Sequence, residues 1–243
     1  MANESTYPKK VDWDTYKFRC SMLGDLLAGP RWKEGQPLQK TTISALRKIY
    51  MKEVWGFEKQ VTSRQMEKGE YCEPEGIKRV CDQLYNGIPY LKNQTRFENE
   101  YICGTPDLNA SLHSRVHDIK SCWDLDTFMN AEMTASNEAQ IRGYMWLLGY
   151  GSGQIDKVLI SAPEHIYHRE MSYLEKRLGD RDLDPSDEKA IEEFTALELS
   201  LNYDRVPEGS RIKSFVVTSD PSFIEKVKKE AIIWRNELKY MTL

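Results

Sequence analysis

The sequence predicts an α/β fold in which helices flank a central mixed sheet. Stretches with aromatic and β-branched residues, typical of strands, occur at residues 97–103, 116–122, 157–162 and 211–218. Segments with apolar residues at helical spacing lie before, between and after these stretches. Because helices that alternate with strands pack as layers on a sheet, we expect an α/β/α arrangement.

The chain of 243 residues, with 40% hydrophobic residues, suits one compact domain spanning residues 1–243. Residues 164–210 read as a helical insertion, with helices at 166–178 and 187–202 around an acidic turn. These helices could pack on the body, form an arm or make a contact between subunits.

The composition excludes several classes of protein. No apolar run reaches transmembrane length and the N-terminus has no hydrophobic signal core, so we expect a soluble, cytoplasmic protein with no membrane partner. The five cysteines are scattered without a C-x-x-C pair, which argues against a disulfide framework and a zinc ribbon. The net charge of −4 argues against a protein that coats DNA, unless basic residues are concentrated locally.

Three helices are predicted in the first third of the chain. Residues 16–28 predict an amphipathic helix, and residues 41–55 predict another with Thr42 as its N-cap. A long helix should begin at Thr62 or Ser63 and run to about residue 84. Pro74 lies within it, so we expect a kink or a new helix start there.

A hairpin at residues 97–122 organises the rest of the chain. Residues 97–103 predict one strand, residues 104–106 break it, residues 108–115 are turn-rich, and residues 116–122 predict the second strand. Such a hairpin brings Asp107 near Asp118 and Lys120. The latter two are two residues apart, so they point to the same face of their strand.

Two carboxylates with a lysine at one end of a strand suit a hard cation. Mg²⁺ prefers oxygen ligands and usually takes one or two carboxylates plus substrate phosphate oxygens. A lysine beside it can orient a water molecule and offset developing negative charge. The alternative is an exposed hairpin that carries an ordinary surface ion pair.

The second half of the chain predicts a helix, two strands and a terminal helix. Ser136 or Asn137 should cap a helix in which Gln140 and Tyr144, four residues apart, face the same way. Residues 157–162 predict a buried strand and residues 211–218 the last strand. Asp220, followed by proline, should cap the last helix.

Four motifs resemble those of one nuclease group. Pro106 and Asp107, followed after ten residues by Asp118-Ile119-Lys120, resemble the PD-(D/E)-x-K signature. Three further strings resemble helices of the YqaJ and lambda-exonuclease group: G-x-x-x-E-P at residues 69–74, Q-x-x-x-Y at residues 140–144 and R-x-S-x-x-G-x-x-L at residues 19–27. All four occur in the order of that group and cover residues 18–162.

The resemblance implies a restriction-endonuclease-like core and a role for each matched residue. Asp107 and Asp118 would bind the metal together with the backbone carbonyl of Ile119, and Glu73, with Glu70 as the second choice, would complete the metal shell. Lys120 would position the attacking water, and Gln140 and Tyr144 would orient Lys120 and the scissile phosphate. The residues that would contact the DNA end are Arg19 and Ser21, with Arg31 and Lys33 of the next loop as alternatives.

The activity implied is that of a phage-type alkaline exonuclease. It would hydrolyse linear duplex DNA from its ends with Mg²⁺, for which Mn²⁺ substitutes, in the 5′-to-3′ direction, in preparation for recombination. Its partners would be double-stranded DNA ends and a single-strand annealing protein in the cytoplasm of a bacterial host, with self-association left open. The alternatives are a RecB-like or restriction-type endonuclease of the same fold, and a non-catalytic DNA-binding module.

Overall fold

The computed structural model of the chain describes residues 7–28, 38–59 and 63–242. In chain order the elements are β1 (Phe18–Arg19), a 3₁₀ turn (Cys20–Met22), α1 (Leu23–Leu26), α2 (Lys40–Trp55), α3 (Arg64–Leu84), β2 (Phe97–Glu98), β3 (Ile102–Gly104), β4 (Leu108–Ala110), a 3₁₀ turn (Ser111–His113), β5 (Arg115–Cys122), α4 (Leu125–Met129), α5 (Ala135–Leu148), β6 (Ser152–Leu159), α6 (Glu164–Gly179), α7 (Glu188–Leu201), a 3₁₀ turn (Glu208–Ser210), β7 (Ile212–Thr218) and α8 (Pro221–Tyr240).

The predicted mixed sheet is confirmed. Four strands follow the order β4-β5-β6-β7, in which β5 and β6 are parallel and the two outer pairs are antiparallel. A smaller sheet of β1, β3 and β2 in that order lies beside it, with β1 parallel to β3.

Helices cover both faces of the four-stranded sheet, as the α/β/α prediction requires. Ile119 of β5 packs with Cys72 and Val80 of α3 on one face. Val116, two positions away from Asp118 on β5, packs with Ile141 of α5 on the other face. Because side chains alternate along a strand, Asp118 and Lys120 lie on the face that α5 covers.

Two helices at residues 164–210 are confirmed. α6 and α7 pack against each other through Leu174, Leu178 and Ala190. Within the described residues, no helix combines the length and the apolar character needed to cross a bilayer.

The helix expected at residues 16–28 is wrong. Phe18 instead pairs in parallel with Ile102 of β3, and its buried ring packs against Trp234 of α8 at 5.0 Å between centroids. The apolar spacing that resembles a helix therefore comes from a short strand, a 3₁₀ turn and the four-residue α1. Tertiary pairing outweighs local helix propensity here.

The first strand of the hairpin predicted at residues 97–122 differs from the prediction. Asn99 interrupts the strand expected at 97–103, because its side-chain oxygen accepts hydrogen bonds from the backbone N–H groups of Tyr101 and Ile102. The strand that pairs with β5 is β4 (Leu108–Ala110), in the stretch expected to be a turn. Leu108 and Ala110 are both buried, which explains why this short polar stretch is extended.

Two predictions about helix ends need correction, and one of the two alternatives at Pro74 is excluded. Thr42 does not cap α2, since Gln39 occupies that position and the buried Thr42 hydroxyl donates to the carbonyl of Leu26. Thr134 caps α5 in place of Ser136 or Asn137, accepting from the backbone N–H of Asn137 at 3.1 Å. No new helix starts at Pro74: α3 runs on from its Ser63 cap to residue 84.

The strand expected at residues 157–162 occupies residues 152–159 instead. The sequence does not predict the first half of this strand, because the Gly-Ser-Gly composition of residues 151–153 is typical of loops. Gly153 lies where a Cβ atom would stand 2.8 Å from Ile141 and 2.9 Å from Met145. Glycine is therefore required for α5 to lie close to β6.

Candidate active site

Asp118 and Lys120 are held by the centre of the main sheet. Both lie on β5, where Asp118 pairs with Ile155 and Lys120 with Lys157 of β6. Asp118 is 1% exposed, and Lys120 Nζ lies 3.1 Å and 2.9 Å from its two carboxylate oxygens. The sheet therefore presents a buried carboxylate with its own counter-ion toward α5.

Asp107 joins this pair through the β4–β5 pairing. Leu108 faces His117 across the antiparallel ladder, so Asp107, one residue before it, lies across from Asp118. Asp107 Oδ2 accepts a hydrogen bond from the backbone N–H of Ile119 at 2.6 Å. The structure thus brings Asp107, Asp118 and Lys120 together as the sequence predicts.

Gln140 and Tyr144 of α5 reach the same place. Gln140 Nε2 donates to Asp118 Oδ1 at 2.8 Å and to the Tyr144 hydroxyl oxygen at 3.1 Å. The Tyr144 ring lies 2.5 Å from where a Cβ on Gly104 would stand, so only glycine fits there. This pair fixes the carboxylate of Asp118 rather than bonding to Lys120.

The carboxyl groups are electrostatically crowded. Burial, reinforced by the charge of Asp118, raises the pKa of Asp107 from 3.8 to about 7. Burial also raises the pKa of Asp118. For Lys120, burial is the largest single effect and lowers the pKa, but the carboxylates of Asp118, Asp107 and Glu73 together outweigh it, so the pKa is raised.

The donor set fits a hard divalent cation. Asp118 Oδ2 is buried, 2.9 Å from the Lys120 ammonium, and a divalent cation would relieve the repulsion that raises the pKa of Asp107. Within the described residues, no three His, Cys, Asp or Glu side chains stand close enough to form a metal cluster. The two carboxylates would therefore need oxygens from the backbone, solvent or substrate, as Mg²⁺ commonly uses.

Glu73 lies in the same cleft but is engaged elsewhere. The cleft, here called the carboxylate cleft, has a volume of about 1030 Å³. Its lining includes Glu70, Glu73, Asp107 and Lys120. Glu73 Oε2 is 2.7 Å from the Nζ of Lys92, whereas Glu70 is exposed and forms no ion pair with a described residue. A role for either glutamate in metal binding stays a prediction.

Lys92 is the site residue that the sequence did not reveal. It lies in the segment between α3 and β2, outside any motif. Asn93 fixes this segment, because its backbone N–H donates to the carbonyl of Asp107 at 2.9 Å and its side chain donates to that of Pro106 at 3.1 Å. A lysine followed by asparagine carries no signal in a sequence, since the contact forms only when the segment folds against the turn.

The residues expected to contact the DNA end lie apart from the carboxylates. Arg19, on β1, is exposed and lines a second cavity that shares no residue with the carboxylate cleft. Ser21 is exposed in the 3₁₀ turn that follows. Arg31 and Lys33 lie outside the described residues.

Comparisons with known proteins identify the fold. No protein-family model and no curated protein matches the chain. A phage-related exonuclease from Haemophilus somnus 129PT superposes with a TM-score of 0.71 at 24% identity, over 92% of this chain and 94% of the other. An alkaline exonuclease from Laribacter hongkongensis, LHK-Exo, gives a TM-score of 0.57 at 12% identity over 93% and 91%, and its complex with dAMP gives the same score over 92% and 88%.

Proposed function

We propose that the chain, whose fold is that of these exonuclease structures, is a metal-dependent deoxyribonuclease that digests linear duplex DNA from its ends. Asp107 and Lys120 line one cleft, Lys120 Nζ lies 2.9 Å from the buried Asp118 carboxylate, and the crowding of the two carboxyl groups raises the pKa of Asp107; this grouping is the observation that carries the proposal. Two carboxylates and a lysine in this arrangement suit phosphodiester hydrolysis.

In this proposal Asp107, Asp118 and the backbone carbonyl of Ile119 hold Mg²⁺, with Mn²⁺ as a substitute and Glu73 as a further ligand. The bound ion would polarise a phosphoryl oxygen and make a water molecule more acidic. Lys120 offsets the negative charge that develops on the phosphate and orients the attacking water.

Gln140 and Tyr144 act through Asp118 rather than on the substrate. The side-chain amide of Gln140 donates hydrogen bonds to the Asp118 carboxylate and to the Tyr144 hydroxyl oxygen. These contacts hold the Asp118 carboxylate in one orientation, and the buried Tyr144 ring fixes the position of Gln140. The proposal assigns both residues a positioning role.

The proposed substrate is the end of a DNA duplex, whatever its base sequence. Phosphate contacts carry no sequence information, so digestion should be independent of sequence. The dAMP bound in the Laribacter structure is a deoxynucleotide, the class of product that an exonuclease releases. Resection of this kind, in the 5′-to-3′ direction, would supply single strands for recombination and for an annealing protein.

The test uses linear duplex labelled at either the 5′ or the 3′ end, with and without Mg²⁺, beside a covalently closed circle. We expect stepwise loss of nucleotides from the linear duplex only when the metal is present. An intact closed circle supports an exonuclease, whereas its cleavage would indicate an endonuclease of the same fold. No cleavage of either substrate would indicate a non-catalytic DNA-binding module.

A further inference from the structure

A second cavity, between the N-terminal segment and α2, is strongly basic. It has a volume of about 920 Å³, and its walls are formed by residues 12–22, residues 44–59 and Arg96. We call it the basic cavity. Seven of its lining side chains are lysine or arginine and three are carboxylates. This excess lies on a chain whose net charge is −4, so the positive charge is concentrated here.

One face of α2 supplies much of this charge. The α2 residues that line the basic cavity are Ser44, Arg47, Lys48, Ile49, Met51, Lys52 and Glu53. The cations Lys48 and Lys52 are four residues apart and Arg47 is adjacent to Lys48, so all three lie on one side of the helix. The other side is buried in the core through Ala45 and Leu46. The core therefore fixes the rotation of α2 that turns these cations toward the cavity.

Four of the cations have no counter-ion among the described residues. Arg19, Arg47, Lys48 and Lys59 are exposed and form no ion pair with any residue in the described parts of the chain. Lys52, by contrast, lies 2.6 Å from a carboxylate oxygen of Glu58. Unpaired cations that converge on one concave surface bind a polyanion through Coulomb attraction and counter-ion release.

An aromatic ring stands among these cations. Phe57 lines the basic cavity and is 57% exposed. The backbone N–H of Phe57 donates to the carbonyl of Met51, and the backbone N–H of Gly56 donates to the carbonyl of Lys52. The end of α2 therefore fixes the backbone that carries the ring. An exposed ring beside a basic groove is the arrangement on which unpaired bases stack.

We propose that the basic cavity binds single-stranded nucleic acid, with backbone phosphates on Arg47, Lys48 and their neighbours and a base on Phe57. The inference rests on the proposed function only for the source of the strand, since resection leaves one strand unpaired. A duplex would offer phosphates to the cations but no free base face to the ring. An acidic polypeptide would likewise leave the ring without a partner.

The test measures the affinity of the full-length protein for a fluorescent oligothymidylate by anisotropy in EDTA, at several salt concentrations. Each phosphate contact to a single strand contributes about 0.7 to the slope of log K against log[salt]. Arg47→Ala/Lys48→Ala should therefore reduce the slope by about 1.4. Phe57→Ala should weaken binding by about 5- to 150-fold with little change in slope, because stacking carries no charge.

Lys189→Ala is the matched control, since Lys189 is an exposed lysine of α7 outside both cavities. Equal affinities of all variants and the control would overturn the proposal. Equally tight binding of a duplex of the same length, unaffected by Phe57→Ala, would overturn the assignment to single strands. Displacement of the oligonucleotide by polyglutamate at equal charge would indicate a site for acidic polypeptides instead.

Two further measurements separate this inference from the proposed nuclease. The substituted side chains are exposed, so thermal unfolding should match that of the unmutated protein. If Arg47→Ala/Lys48→Ala unfolds early, Arg47→Gln/Lys48→Gln replaces it. If the cavity variants bind the oligonucleotide more weakly but the protein shows no Mg²⁺-dependent cleavage, the single-strand site is supported and the nuclease is refuted. If the protein cleaves DNA but the cavity variants bind the oligonucleotide normally, the nuclease is supported and the single-strand site is refuted.

Discussion

Lys92 and Glu73 form an ion pair, 2.7 Å between Nζ and Oε2, at the edge of the carboxylate cleft. The pair raises the pKa of Lys92, chiefly through the hydrogen bond to Glu73. The segment that carries Lys92 is tied to the backbone of Asp107 by Asn93. Without a metal ion, a lysine therefore neutralises the glutamate that the resemblance assigns to the metal shell.

If Glu73 must leave Lys92 to reach a metal ion, Lys92→Ala should tighten metal binding. Partly exposed ion pairs contribute about 0.2–1 kcal/mol, so the dissociation constant should fall by up to about fivefold. Calorimetric titration with Mn²⁺ measures this without substrate. Lys92→Arg keeps the charge and serves as the control. Weaker binding in Lys92→Ala would show that Lys92 supports the metal site instead of competing with it.

Metal binding should weaken as the pH falls through about 7. Burial and the charge of Asp118 raise the pKa of Asp107 to about 7, and its protonated carboxyl group is a poor ligand. The pH at half-maximal activity should shift downward as the Mg²⁺ concentration rises, because the metal competes with the proton. Cleavage profiles at two Mg²⁺ concentrations check this. A midpoint that does not depend on Mg²⁺ would remove Asp107 from the metal site.

The same shift predicts how stability depends on pH in EDTA. The pKa of Asp107 is about 7 in the folded chain and near 3.8 when unfolded, so between these values the folded chain holds the extra proton. The free energy of unfolding attributable to Asp107 should therefore fall as the pH rises from about 4 to 7, by at most about 1.4 kcal/mol per pH unit. Denaturant unfolding of the unmutated protein and Asp107→Asn measures the difference. A difference that stays constant with pH would contradict the raised pKa.

Much of the site is visible in the sequence because its contacts are local. Asp107, Asp118 and Lys120 meet through one hairpin, and Gln140 and Tyr144 share a helix face. The features that the sequence does not predict depend on contacts between residues that are far apart in the chain. Lys92 reaches Glu73 only because its segment folds onto the turn at Asp107, and residues 18–19 are extended only because they pair with β3.

Lys120 is expected to act on the chemical step. Lys120→Ala should lower the single-turnover cleavage rate far more than the DNA affinity, because its charge matters most where negative charge develops. Lys189, an exposed lysine of α7 outside the carboxylate cleft, provides the control Lys189→Ala. A loss of affinity at an unchanged rate would make Lys120 a binding residue.

Arg19 is expected to favour DNA ends that carry a 5′ phosphate. A guanidinium can bind phosphate through two parallel hydrogen bonds, and a terminal phosphate carries more charge than an internal one. Duplexes with a 5′ phosphate should be digested faster than those with a 5′ hydroxyl, and Arg19→Ala should remove the difference while Mn²⁺ affinity is unchanged. Equal rates on both ends in the unmutated protein would exclude a phosphate pocket, and a preference that persists in Arg19→Ala but not in Arg31→Ala would assign it to Arg31.

Asp118→Asn tests most directly whether Asp118 and its neighbours hydrolyse DNA. The amide keeps the shape of the side chain but removes a charged metal ligand. Single-turnover cleavage of end-labelled linear duplex in Mg²⁺ should fall by orders of magnitude, while affinity for the same duplex in Ca²⁺ stays within about twofold of the unmutated protein. Near-full Mg²⁺-dependent cleavage by Asp118→Asn would contradict the account.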